Sequence, residues 1–525
     1  MLATENRGSI TGRGTSLSRL AAWGAVAGAC AYLLVELVPD VGSKPLFEDE
    51  AVSGLVSARP FGEVIATTMW DRGGAPLHFV LVHFAFLFDS SADALRWVSV
   101  VFAVGAVLLC YDLGRRLDGG LAGAVAAIVA AASGMLAVYG SFGRMYALFA
   151  FAAALAVDLF VRCVQRPTTG TVAAASAGAW VLPAVHPYGG IVVAVEAAVA
   201  LVLWRGRPLR PAWPAVVAVL AMIPFAVADL RLADRFELSS GQKGRLATWT
   251  EARNQLEDAL RGFGGGSGWT FVVFLVLAAW GIAILLRRRP ELVAWGLIAF
   301  AGPPLLSTLV RTGRAPDLSP RHLIFALPFF AAFVGVAVAR IPGRPLPLVG
   351  LAVVAALSTQ GINDPRSITY TAALGGEDAV AAPAAWLRQN VQSDDILYPY
   401  SSVFLAALPE AGEARGLPRA QVQSLLAALD RVDYPAGDVF VAVPVGTTDS
   451  GPVQGGRDFG SWVLIRVGGP LADKQAVLRA IESSLRQAQA QLEPPVPAAL
   501  AGWFELNRAV VCESLAKLGS RCGTE

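Results

Sequence analysis

Apolar runs long enough to cross a bilayer recur through the first 360 residues of this chain, at about 17–37, 95–113, 121–140, 146–163, 170–186, 188–203, 212–228, 270–286, 292–310, 322–340 and 345–358. A span takes about 20 apolar residues. In lipid every backbone polar group must find its partner inside the segment, so such runs fold as helices. The expected fold class is an α-helical polytopic membrane protein with about 11 transmembrane helices. Composition agrees, at 55% hydrophobic against 16% charged in 525 residues, which excludes an ordinary soluble globule. A net charge of +2 and the absence of a basic run exclude nucleic acid as a partner. The first apolar run continues for about 20 residues with no small-residue cleavage site after it, so it is expected to be retained rather than removed.

Arginines fix the orientation. Arg7, Arg13 and Arg19, then Arg115 and Arg116, Arg162 and Arg166, and the clusters within 204–210, 285–291 and 339–345 fall at alternate connections. The excess of cations on cytoplasmic loops puts all six inside, with the N-terminus inside and the C-terminus outside. The run "APLHFVLVHFAFLF" (75–88) is too short to span comfortably and is expected to lie partly embedded on the outer side, a short tilted span being the other placement. The outward segments are then 38–94, 141–145, 229–268 and 311–322. After residue 360 the composition turns polar, with helix-like "EDAVAAPAAWLRQNV" and "KQAVLRAIESSLRQAQAQL" and strand-like "DILYPYSS", "DVFVAVPV" and "SWVLIRV". This periodicity predicts a membrane domain over 1–360 and a small extracytoplasmic α/β domain over 361–525. No internal repeat is visible, which weighs against an inverted-repeat transporter.

The chemistry-bearing residues gather on the outer side. "FEDEAVS" places Glu48, Asp49 and Glu50 just beyond the first span, where a carboxylate reaches water and avoids the roughly 2.5–3.5 kcal/mol cost of the bilayer centre. Successive side chains point different ways, so a cavity there meets only one of the pair Asp49 and Glu50. Arg144 and Tyr146 in "GSFGRMYAL", and Arg321 and His322 in "LSPRHLIF", stand at outer helix mouths. There a guanidinium clamps a phosphate in bidentate fashion or snorkels to headgroups. His78 and His83 are five apart and do not share a helix face, which argues against a metal pair. His78 is placed to bond the carboxylate loop, and His186 in "AVHPYGG" reads as an interfacial hydrogen-bonding group. Cys30, Cys110 and Cys163 lie in apolar runs, where a thiol packs. Cys512 and Cys522, in the polar tail, would pair as a disulfide in an oxidising compartment and stay as two thiols otherwise.

The order of these pieces resembles the GT-C fold glycosyltransferases, the integral membrane enzymes that include protein O-mannosyltransferases, lipid A aminoarabinose transferases and the catalytic subunit of oligosaccharyltransferase. The matching text is "FEDEAVS", "GGAPLHFVLVHFAFLF", the stretch from "ALRWVSVVF" to "GSFGRMYAL", and "PRHLIFALPFFAAF". The likeness covers 45–150 well, the rest of the membrane region loosely, and 361–525 not at all. It implies a polyprenyl-phosphate sugar donor and an acceptor hydroxyl on a cell-envelope glycan, lipid or protein, met at the outer face of a bacterial cytoplasmic membrane with inversion at the sugar. Asp49 would be the catalytic base and Glu50 its partner, Glu48 having no counterpart. Arg144, Tyr146, Arg321 and His322 would bind the donor phosphate, and His78 and His186 the substrate. Many relatives carry a carboxylate two residues before the second-motif arginine, where this chain has Phe142, so a divalent metal is not expected as cofactor. The alternative reading is a transporter or lipid-linked sugar flippase, which would need ionisable groups near the midplane; Asp158, toward an inner end, is the main one here.

Overall fold

The computed structural model describes residues 16–43, 48–71, 74–205, 212–236, 249–266, 268–309, 319–343, 346–362, 377–399, 401–407, 415–417, 422–444, 456–460, 462–491 and 498–523. Arg7, Arg13 and most of the expected outer loop 311–322 lie outside these residues. The membrane region runs α1 (Ser16–Ser43), three short helices α2 (Glu48–Ser57), α3 (Phe61–Asp71) and α4 (Leu77–Phe86), then α5 (Ala92–Asp118), α6 (Gly120–Ala131), α7 (Gly134–Tyr139), α8 (Tyr146–Gln165), α9 (Thr169–Val185), α10 (Tyr188–Trp204) and α11 (Trp213–Phe236). It continues with α12 (Trp249–Phe263), α13 (Gly268–Leu286), α14 (Pro290–Leu309), a 3-10 turn Pro320–Ala326 leading into α15 (Leu327–Ala339), and α16 (Leu346–Ile362).

Among the described residues six helical segments are long and apolar enough to cross a membrane, and others, including α9 and α10, are apolar but shorter. The expected single run 121–140 is two helices. The chain leaves α6 at Ala132, and Ser133 caps α7 by accepting from the Leu136 N–H at 3.1 Å. Alanine-rich faces of α6, α8 and α15 make the centre of the bundle, almost wholly buried, because small residues let helices in lipid approach to backbone contact. The outward faces of α11 and α13 instead expose Val216, Leu220, Ile223, Val272 and Val276. Such a band is costly in water, at about 25 cal/mol per Å², and suited to lipid; the chain is a membrane protein.

One end of the bundle gathers the arginines. Asp112 accepts from Arg116 Nε at 2.7 Å and from Arg162 at 3.1 Å, Asp158 pairs with Arg116 and Arg162 at 2.7 and 2.6 Å, and Asp118 pairs with Arg288 at 3.2 Å and with Arg340. Connections after α5, α8, α13 and α15 thus meet at one level. Arg96 lies twenty residues earlier on α5, about 30 Å away along the helix, at the opposite end.

Beyond the bundle, β1 (Ile396–Tyr398), β2 (Arg415–Gly416), β3 (Val439–Pro444), β4 (Gly456–Asp458) and β5 (Trp462–Val467) form one sheet in the order β2-β1-β3-β5-β4. β1 runs parallel to β2 and β3, and β5 antiparallel to β3, with Val439 opposite Val467. Alternate strand residues point to opposite faces. Ile396, Val439 and Val441 pack under α19 (Val422–Leu429), α20 (Lys474–Gln491) and α21 (Ala498–Lys517), whereas Leu397, Phe440 and Leu464 pack under α17 (Glu377–Asn390) and α18 (Ser402–Ala407). Cys512 and Cys522 are joined as a disulfide with Cα atoms 5.1 Å apart. The unit sits on the short helices of the other end: Leu55 of α2 packs against the α19–α21 core, and Arg59 pairs with Asp430.

Candidate functional site

The first turn of α2 presents Asp49 and Glu50 at the end of the bundle opposite the arginine lattice, and gives them different surroundings. Glu50 is fully buried. Its carboxylate takes both Arg96 Nε and Arg96 Nη2, at 3.0 and 3.1 Å, and also the Gly143 N–H at 2.7 Å. Arg96 in turn donates to the Val41 carbonyl at 3.0 Å and the Asp40 carbonyl at 3.3 Å. Such a pair, desolvated and saturated with hydrogen bonds, is a structural clamp. The oxygens of Glu50, expected as the partner of Asp49, are engaged by α5 and the 140–145 loop. Asp49 keeps 31% of its side chain exposed and lies 3.9 Å from Arg321 Nη1, itself 30% exposed. Of the two consecutive acids it alone meets solvent. Glu48 begins α2, and its side chain lies outside the described residues.

The loop between α7 and α8 is gripped through Phe142, Gly143 and Arg144. Ser99 Oγ donates to the Phe142 carbonyl at 2.6 Å, Glu50 takes the Gly143 N–H, and His78 Nε2 meets the Gly143 carbonyl at 3.3 Å. Glycine is needed at 143 because a Cβ there would press on Leu95 and Glu50. Arg144, held by this loop and buried, donates to Ser53 Oγ at 3.1 Å and to the Asp49 carbonyl at 3.4 Å. Its guanidinium braces the helix that carries Asp49. His78, expected to bond the carboxylate loop, meets the Gly143 carbonyl, and the Gly143 N–H bonds Glu50. Burial, then the neighbouring Arg144 charge, hold its imidazole at about 3, so it is neutral. α4, which carries it, is an apolar helix of ten residues.

The remaining expected residues come together as a set of rings. Arg321 lies 5.6 Å over the Tyr146 ring, and Tyr146 stacks on His322 with centroids 6.2 Å apart. His322 also faces His186 at 5.2 Å and Tyr188 at 5.4 Å. Both histidines have Nδ1 facing a backbone donor, His186 the Tyr188 N–H at 3.1 Å and His322 the Ser319 N–H at 3.3 Å, a contact in which Nδ1 accepts and Nε2 carries the ring proton. Tyr188, Arg96, Ser53 and Ser99 were not foreseen. The pair of mouths that hold Arg144 and Arg321 carried the only usable signal. His83 stays apart and meets the Ser57 carbonyl at 2.9 Å.

Among the described residues around Asp49, the Phe142 side chain offers no oxygen and Glu50 is engaged by Arg96 and the Gly143 N–H. Among the described residues the grouping of three ligand-type side chains is Glu482 with the two disulfide cysteines, far along the chain in the α/β unit. An apolar cavity of about 230 Å³ lies between α12, α13, α14 and α15, lined by Phe263, Phe300, Phe329, Phe330 and Phe333 among others. It borders the same α15 that follows the Arg321 turn.

No protein-family model matches the sequence, and no curated protein matches it. Solved structures do. ArnT from Cupriavidus metallidurans, in the apo state and bound to undecaprenyl phosphate, superposes with a TM-score of 0.56 at 14% identity, over 86% of this chain and 98% of that one. Oligosaccharyltransferase AglB from Archaeoglobus fulgidus, in complex with an inhibitory peptide and a dolichol-phosphate, gives 0.48 at 11% identity, over 97% and 87%. The likeness to ArnT carries the architecture: the chain has the GT-C fold.

Proposed function

We propose that this GT-C protein is a glycosyltransferase that moves a sugar from a polyprenyl-phosphate donor to an acceptor hydroxyl at the outer face of the cytoplasmic membrane. The observation that carries the reading is Asp49, solvent-reaching and 3.9 Å from Arg321 at the mouth of the bundle, in a fold that an undecaprenyl-phosphate-binding protein shares. Asp49 takes the proton of the acceptor hydroxyl as its oxygen attacks the anomeric carbon, and the bond from that carbon to the phosphate oxygen breaks on the far side. The sugar inverts, and the bonding pair leaves with the polyprenyl phosphate. Base assistance of this kind contributes about 10²- to 10⁴-fold. Arg321 is the better placed cation for the departing phosphate, since Arg144 is engaged with Ser53 and α2; no step requires a metal.

The apolar cavity beside α15 suits the polyprenyl tail, with its phosphate end at Arg321. The arginine lattice at the opposite end supports a cytoplasmic placement there, by the same cation bias that orients the loops, and the reading takes eleven spans with the N-terminus inside and the α/β unit outside. The acceptor is a cell-envelope glycan, lipid or protein. The test is incubation of purified protein with a panel of radiolabelled polyprenyl-phosphate sugars. One is expected to be consumed, and Asp49→Asn to abolish turnover while retaining donor binding. Normal turnover by that variant removes Asp49 from the base role.

A further inference from the structure

α2 is fastened at both ends. Its first turn is fixed to α5 through Glu50 and Arg96. At its last turn and just beyond, Leu55 enters the apolar core shared by α19, α20 and α21, and Arg59 pairs with Asp430, which Lys474 of α20 also holds. Arg59 is at the same time 3.2 Å from Glu63 of α3. Ten residues of helix make a rod about 15 Å long, with Asp49 in its first turn and Arg59 two residues past its end, bonded back to it from the Arg59 N–H to the Val56 carbonyl at 3.3 Å. With the far fastening released, α2 is held by the Glu50 clamp, by Arg144 at Ser53 and by His83 at the Ser57 carbonyl, and its tilt is no longer set by the α/β unit. A tilt of 10–20° is the tolerance of a preorganised site, and a misplacement of about 1 Å costs about 10²-fold in rate.

We infer that the C-terminal α/β unit positions Asp49 through α2, with Arg59 as the positioning residue; this rests on the base role proposed above. The unit is then part of the catalytic geometry and not only a cover. These ion pairs are partly exposed and weak, so mere removal of Arg59 is a poor probe. Arg59→Glu is the informative change, because it sets a carboxylate against both Asp430 and Glu63, and Arg59→Lys keeps the attraction. Leu55→Asn attacks the same fastening by a separate route.

Full-length variants are compared for backbone hydrogen exchange across 48–57, for thermal unfolding, and for kcat and donor KM. Arg59→Glu and Leu55→Asn are expected to speed α2 exchange and lower kcat about tenfold, with donor KM within about twofold and Arg59→Lys near wild type. Unchanged α2 exchange overturns the inference, as does kcat that persists although α2 has loosened, or loss of kcat and donor affinity together. Should the wild type consume no polyprenyl-phosphate sugar, the role of Asp49 fails, while the exchange data still decide whether the α/β unit holds α2.

Discussion

Asp49 and Glu50 are neighbours in the chain with opposite fates, and the difference is made by residues 46 and 93 positions away. Removing one member of a buried, bonded ion pair strands the other charge and costs about 3–5 kcal/mol. Glu50→Gln is therefore expected to lower stability in detergent by that order in a denaturation measurement, whereas Asp49→Asn leaves the unfolding midpoint near wild type. The sequence showed carboxylates waiting at a boundary, and alternation said that only one would face a cavity. It did not say which, because Arg96 sits in "ALRWVSVVF" and reads as the polar start of an apolar helix. Ser53 and Ser99 were illegible for the same reason: a hydroxyl that bonds a distant carbonyl leaves no local pattern.

At the scale of elements, apolar length located the helices well, and strand patterns found β3 and β5 within a residue and β1 at its start, the expected 395–402 running four residues past Tyr398 to the first residue of α18. Capping was the weaker signal. The break at Ala132 depends on Ser133, a single small polar residue in an alanine-rich run. α12 was passed over inside a polar, glycine-rich loop, although Ala252, Leu256, Ala259, Leu260 and Phe263 follow a helical spacing and bury one face. Close approach of α13 to α15 rests on Gly281, where an added methyl would overlap the Phe333 carbonyl. Because the obstacle is backbone, Gly281→Ala must push the helices apart, at about 1–3 kcal/mol. A lowered melting temperature together with weaker donor binding is expected, since α15 continues from the turn that holds Arg321.

For the molecule as a whole, the charged lattice and the Asp49 mouth lie at opposite ends of α5, and that separation predicts sidedness. In intact cells a membrane-impermeant thiol reagent is expected to label Asp89→Cys, on the Asp49 side, and to reach Pro167→Cys only after permeabilisation; the reverse pattern would turn the molecule over. Its large-scale plan was the most legible part of the sequence, since lipid imposes long apolar helices and cations mark one side, while the seating of the α/β unit on α2 depends on pairing over 371 positions. The Glu50 clamp has a consequence for biosynthesis. Its last partner, Gly143, is made 93 residues after Glu50, so at about 5–20 residues per second the ribosome needs roughly 5–19 s to deliver it. Through that interval the clamp is incomplete, Glu50 lacking first Arg96 and then the Gly143 N–H, and slow codons between 96 and 143 would lengthen the exposure of the half-built clamp to quality-control proteases.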